Sequence, residues 1–322
     1  MPSEFQLIAD YFTRPVRRRD RLALGVGDDC ALLTPGPGMQ LAVSTDMLVE
    51  GRHFFAGAEP EALGHKCLAV NLSDLAAMGA TPLAFTLALA LPQADEAWLA
   101  AFAHGMLALA DELGCELLGG DTTRGPLNVC ITVFGEVPLD AALRRGGARV
   151  GDDIWVSGTL GDARLALAGY LGEIELDAAG REQAGTRMHR PTPRVALGMG
   201  LRGVADSAID VSDGLQGDLQ HILDASRVGA RLNVDALPPG PMLARCEPDL
   251  RRRFALAGGD DYELCFTAPR IKHDAVQVAA RESGVAVTRI GRIEAEPGLR
   301  LVGQDGQPLA IDAPSFDHFR HP

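Results

Sequence analysis

Carboxylates at the ends of apolar runs are the residues of this chain best suited to chemistry. Asp28 and Asp29 close LGVGDD, Asp46 closes LAVSTD, Asp121 closes ELLGGD, Asp210 and Asp213 close AIDVSD, and Asp260 and Asp261 close LAGGDD. Asp74 lies inside a helical pattern three residues from Asn71, so the two share a helix face while Leu68, Leu72 and Leu75 occupy another. Singly, an aspartate beside glycine also reads as a turn former or a helix N-cap. Jointly they point to a binding site, because strand-terminal loops of α/β proteins gather at one end of a sheet, where ligands bind.

Gathered carboxylates need a counter-charge. Two of them ~4 Å apart repel by about 4 kcal/mol at an effective dielectric of ~20, and several together would remove much of a domain's stability. A divalent cation removes the repulsion. All-oxygen ligation by aspartate, hydroxyl and water selects Mg²⁺ or Ca²⁺ over zinc, and Ser44 and Thr45 place hydroxyls beside Asp46. The D-x-D-x-D-G spacing of a calcium loop is absent, so Mg²⁺ bridging carboxylates and substrate phosphates fits better. Gly119-Gly120 and Gly258-Gly259 are either tight turns or openings through which a polyphosphate meets backbone. Arg124 and Arg145 can grip phosphate through a planar fork or stand as ordinary surface arginines. Of 30 basic residues only Lys66 and Lys272 are lysines, neither in a GxxxxGK[ST] setting, which excludes a P-loop. No Ser-His-Asp or Cys-His arrangement is visible.

The elements that must carry these residues alternate between strand and helix signals, which predicts an α/β (α+β) fold. Leu83–Leu91 reads as a strand with large side chains at alternate positions and both faces covered. Helices are expected at about 61–78, ending at Gly79, and at about 95–113, ending at Gly114. Residues 139–153 lose apolar periodicity and divide the chain into domains 1–148 and 149–322. The second is expected to hold strands near 154–157, 208–211, 262–267 and 285–290, and helices near 161–170, 194–204, 214–226 and 272–283.

With 322 residues, 47% hydrophobic and 23% charged, the chain is long enough for two such domains and has the composition of a globular protein. A net charge of −13 opposes nucleic-acid binding, and the basic runs Arg17–Arg21 and Arg251–Arg253 lack interleaved aromatics. No apolar run reaches the ~18 residues of a membrane span, and no leader pattern is present, so no membrane association and a cytoplasmic location are expected. Six cysteines without a CxxC pair read as reduced, buried thiols.

SEFQLI, GDDCAL, STDMLVEGRHF, NLSDLAAMGA, GGDTTRGP, DVSDGL, GGDDYEL and a C-terminal FDHF, in that order, resemble the motifs of the thiamine-monophosphate kinase family. That resemblance implies a two-domain aminoimidazole-ribonucleotide synthetase-like fold, with N-terminal sheets pairing in a homodimer and ATP as co-substrate in the cleft between domains. The first domain would then serve ATP and Mg²⁺ binding and dimerisation. It implies several Mg²⁺ ions on Asp29, Ser44, Thr45, Asp46, Asp74, Asp121, Asp210 and Asp213; ATP on Gly120, Asp121, Arg145 and Ser212; and thiamine monophosphate on His53, Asp260 and Phe316. Two positions depart from the pattern: Asp260 stands where many relatives carry Glu, and Phe316 where they carry Tyr or Trp. Outside the resemblance, His53 also reads as a buried structural histidine and Phe316 as a packing residue. The rival readings are an amide- or selenide-activating sister enzyme, a two-metal phosphatase, and a non-catalytic Mg-nucleotide sensor.

Overall fold

The computed structural model describes residues 4–17, 20–26 and 30–311. The chain divides into two compact units, Met1–Leu75 with Ala80–Asp140, and Ala76–Gly79 with Ala141–Pro322.

The first unit begins with helix α1 (Glu4–Leu7), a π turn at Ile8–Phe12 and a short antiparallel ladder of β1 (Leu22–Leu24) and β2 (Leu32–Leu33). There follow β3 (Met39–Val49), α2 (Pro60–Ala77), β4 (Thr81–Leu91), α3 (Glu96–Leu113), β5 (Glu116–Arg124) and β6 (Asn128–Pro138). The four long strands form one sheet in the order β3-β6-β4-β5, in which only β4 and β5 run parallel. Helix α3 starts where the Asp95 carboxylate accepts the N–H groups of Ala97 and Trp98 at 3.0 and 3.1 Å. It ends at Gly114 in the left-handed region, φ +63°. Helices α2 and α3 cross at backbone contact: a Cβ on Gly64 or Gly105 would overlap the carbonyl of Phe102 or Glu61.

Period-two alternation gives the sheet two unlike faces. On the inner face Asp46, Ile131, Leu87 and Gly120 form one row, with Ile131 and Leu87 buried. Leu75 of α2 packs over Gly135 on that side. On the outer face Thr45, Thr132, Thr86 and Gly119 form the next row, then Met47, Cys130, Ala88 and Asp121. The expectation that both faces of 83–91 are covered is therefore corrected: Ala88 is exposed, and Thr86 and Ala90 are half-buried. Alanine and threonine on that face present too little apolar surface to need burial within the chain.

The second unit contains β7 (Asp153–Ser157), α4 (Asp162–Tyr170), α5 (Ala178–His189), α6 (Val195–Gly200), β8 (Ser207–Val211), α7 (Leu215–Ser226), β9 (Gly229–Asn233), α8 (Pro248–Ala257), β10 (Glu263–Ala268), α9 (His273–Ser283), β11 (Val287–Glu294) and β12 (Gly298–Val302). Its sheet runs β12-β9-β11-β7-β10-β8. One face, with Ile154, Val156, Ile209 and Cys265, packs against Leu165 of α4, Met188 of α5, Leu219 and Ile222 of α7 and Leu256 of α8. On the other, Trp155 stacks on Phe266 and meets His273 of α9. Among the described residues no helix is long and apolar enough to cross a membrane. Cys67, Cys115 and Cys265 are buried free thiols, whereas Cys130 and Cys246 are half-buried and Cys30 is exposed.

Candidate active site

In the first unit α2 turns its polar face onto the inner side of β3. The Ser44 hydroxyl donates to Asp74 Oδ2 at 2.5 Å, and the Asp46 N–H donates to Asn71 Oδ1 at 3.0 Å. Asn71 is fully buried and held in turn by its own helix, its amide donating to the Cys67 carbonyl at 2.9 Å. Ser44, Asp46 and Asp74 are therefore assembled on one side of the sheet by two adjoining elements. On the neighbouring strand, facing the other side, burial and then the Asp46 carboxylate push the Cys130 thiol above its usual range.

Two residues expected beside them stand elsewhere. Thr45 follows Ser44 on the strand and so faces the outer side, where its hydroxyl meets that of Thr132 at 2.8 Å. Its side chain cannot share an ion with Ser44. Asp121 lies on β5, at the opposite edge of the sheet from β3 and in an outer-face row. Three strand spacings of ~4.8 Å separate the two edges by roughly 14 Å, whereas Mg²⁺ holds its ligands at ~2.1 Å. Within one chain, a single ion cannot bind both Asp46 and Asp121. Consistent with that, among the described residues no three His, Cys, Asp or Glu side chains stand close enough together to hold a metal ion by themselves. Any Mg²⁺ must take hydroxyl, water or phosphate oxygens as well, as that ion commonly does.

His53 is half-buried in the loop after β3, and its Nδ1 accepts the Val49 N–H at 3.0 Å. That bond leaves the neutral ring's proton on Nε2. The paired glycines have mixed reasons. A Cβ on Gly119 would meet nothing within 4 Å, so the backbone there is open, but a Cβ on Gly120 would overlap the Leu87 carbonyl of β4. On Gly258 it would meet Phe254, and on Gly259 it would lie 2.6 Å from the Ser212 carbonyl. Three of the four glycines are thus required by packing, which decides for them between the two readings, and only Gly119 leaves its backbone open.

In the second unit Asp210 ends β8, and Ser212 and Asp213 lie on the turn into α7. The Ser212 carbonyl accepts the Asp260 N–H at 2.8 Å, so the DVSD and GGDD turns are tied together. Asp260 has φ +66°, a region that aspartate tolerates better than most side chains, which suits the shorter acid at this position. Its Oδ1 accepts the Tyr262 hydroxyl at 3.0 Å. Arg145 is exposed; the Ser226 hydroxyl holds its loop by accepting the N–H groups of Gly147 and Ala148, both at 3.1 Å, and donating to the Arg145 carbonyl at 3.4 Å. Asp29 and Phe316 lie outside the described residues.

Behind these loops sequence reasoning missed Asp218 and Glu263, and it counted Asp261 only among the loop carboxylates. Asp218 Oδ2 accepts the N–H groups of Ser212, Asp213 and Gly214 at 3.1, 3.2 and 3.1 Å. Its burial, and then the charges of Asp210 and Asp213, push its carboxyl up to about 8. Asp261, 1% exposed, accepts the Gly161 N–H with both oxygens at 2.9 and 3.0 Å, and burial raises it well above the ordinary carboxylate range. Glu263, fully buried, binds Ser157 at 2.6 Å, Arg187 at 2.7 Å and Arg194 at 2.5 Å. The signal for Asp218 was its place one turn into a helix that follows the acids Asp210 and Asp213. For Glu263 the partners are far away in sequence, so no local signal existed. The oxygen-only donor sets, and the mutual repulsion that raises Asp218, fit a hard divalent cation at Asp210 and Asp213.

Residues 27–137 match the family described as AIR synthase related protein, N-terminal domain, and residues 149–304 its C-terminal domain. The chain is 47% identical over 322 residues to the thiamine-monophosphate kinase of Escherichia coli (strain K12), covering 99% of each. It is 48% identical to the crystal structure of thiamine-monophosphate kinase from Stenotrophomonas maltophilia K279a, with a TM-score of 0.84, covering 91% of this chain and 93% of that one. AaThiL complexed with AMPPCP and TMP is 30% identical, with a TM-score of 0.77, covering 91% and 92%.

Proposed function

The chain belongs to the thiamine-monophosphate kinase family of AIR synthase related proteins, and from that premise we propose that it transfers the γ-phosphate of ATP to thiamine monophosphate, giving thiamine diphosphate and ADP. The observation that carries this reading is the match to thiamine-monophosphate kinases along the whole chain.

In this reading the acceptor needs no general base, since a phosphate monoester with a second pKa of about 6 is largely ionised at pH 7. The new bond joins an acceptor oxygen to the γ-phosphorus, the bond to the β–γ bridging oxygen breaks, and ADP leaves with that electron pair. Repulsion between two anions is the obstacle, and Mg²⁺ when bound supplies the offsetting charge. Ser44, Asp46 and Asp74 form one ligand group, Asp210 and Asp213 another, and Asp121 a third, with Asp29 contributing and the Thr45 hydroxyl serving a position other than that of Ser44. Gly120, Asp121, Arg145 and Ser212 receive ATP. His53, through Nε2–H, Asp260 and Phe316 receive thiamine monophosphate.

We further read the protein as a cytoplasmic homodimer paired through its N-terminal sheets. Leu41, Val43 and Met47 on the outer face are 43%, 57% and 54% exposed, an apolar strip that supports such pairing. Incubation with ATP, Mg²⁺ and thiamine monophosphate, followed by chromatography, should yield thiamine diphosphate and ADP in equal amounts. Phosphate release without ATP would favour a phosphatase, and ATP binding without any turnover a sensor.

A further inference from the structure

Helix α7 begins without an outside cap. Its N-cap residue is Gly214, φ +117°, which has no side chain to offer, and Asp213 just before it is exposed. The capping comes instead from inside the helix, where Asp218 reaches back so that a single oxygen receives three consecutive amides. All three precede the first helical residue, Leu215: Gly214 is the N-cap, and Ser212 and Asp213 belong to the turn before it.

The same turn is held from its other side by backbone. The carbonyls of Val211 and Ser212 accept the N–H groups of Tyr262 and Asp260, both at 2.8 Å. Residues 211–214 are thus gripped through their amides by Asp218 and through their carbonyls by the 260–262 turn. The grip is made on the backbone, so it sets where the Ser212 and Asp213 side chains leave the turn. Asp218 itself is 4% exposed and faces inward.

We propose that Asp218 is a positioning residue for the reaction, its Oδ2 fixing the backbone of residues 212–214 and through it the aim of the Ser212 hydroxyl and the Asp213 carboxylate. The inference rests on the kinase reading for what those two groups hold, but not for the grip itself. An aspartate that merely stabilised α7 would change melting and leave ligand affinity alone. A positioning residue changes affinity and rate in molecules that remain folded.

The test compares Asp218→Ala and Asp218→Asn with the parent, using full-length protein. Asparagine can place its amide oxygen where Oδ2 stands, and alanine cannot. Asp218→Ala should lose about 10-fold to 100-fold in affinity for Mg²⁺·AMPPCP by calorimetry and in kcat, as loss of supporting partners commonly does. Its KM for thiamine monophosphate should stay within about threefold, and Asp218→Asn should recover most of both losses. If Asp218→Ala is insoluble, Asp218→Ser, whose hydroxyl is too short to reach three amides, replaces it. Parental affinity and kcat in the alanine or serine variant, with only a lowered Tm, would overturn the proposal. So would an asparagine variant as impaired as alanine, which would make the charge the essential feature. A parent that makes no thiamine diphosphate would defeat the kinase reading while leaving the nucleotide-affinity comparison interpretable.

Discussion

Asp74, on α2 against the β3 edge of the sheet, and Asp121, on its β5 edge, carry the same functional group in different surroundings. Asp74 is engaged by Ser44 and half-buried, whereas Asp121 is exposed on an edge strand. If each serves a separate Mg²⁺ position, Asp74→Asn and Asp121→Asn should each lower kcat by about 100-fold while leaving Tm nearly unchanged. Near-parental rates in both would contradict the metal assignment. For His53, the Val49 N–H on Nδ1 orients the ring, and removal of the donor on Nε2 should be felt by one substrate. His53→Ala is expected to raise KM for thiamine monophosphate about tenfold, the worth of one hydrogen bond, with KM for ATP unchanged. An equal rise in both would place the ring elsewhere. At this scale most of the described candidate residues were legible from type and spacing. Thr45 was not, because a motif read as a string does not register that neighbouring strand residues face opposite ways.

Elements were legible where a local signal marks them. The helix ending at Gly114 has its Asp95 cap, its apolar stripe of Leu99, Phe102, Met106 and Leu109, and its left-handed C′ glycine all in sequence. Helices α5 and α8 carry a start signal each, the Asp177 cap and Pro248, but no broad apolar stripe: AAGREQAGTRMH buries only small residues and Met188, and PDLRRRFALA is crowded with arginine. Their stability comes from packing into the core of the second unit, which propensity does not report. The N-terminal segment is joined to α3 by Arg14 and Arg17, each 2.9 Å from the Asp111 carboxylate. The Arg14 hydrogen bond, chiefly, holds the Asp111 carboxyl below its usual 3.8. A lowered folded-state value means that this contribution is present above 3.8 and lost as pH falls through the folded-state value. The Tm difference between the parent and Asp111→Asn should therefore stay level from about pH 8 to pH 5 and narrow below pH 3.8. A gap that widened on acidification would refute the pairing.

For the whole molecule, the outer face of the first sheet is the feature with most consequence beyond one chain. Leu41, Val43 and Met47 stand exposed along β3, across β6 from the small residues of β4. If this face joins two copies, Met47→Asp should convert a dimer to a monomer in sedimentation velocity, since a carboxylate buried in an apolar interface costs several kcal/mol. An unchanged dimer would move the interface elsewhere. The sequence by itself determined the two-part α/β class and the family, and it nominated the residues proposed for phosphate and metal, because these readings depend on residue type, short spacings and periodicity. Only the tertiary structure decided which carboxylates adjoin, which glycines are demanded by backbone packing, and that Asp218 and Glu263 work behind the site. Those facts depend on register, strand order and contacts between residues far apart in the chain, and no local pattern encodes them.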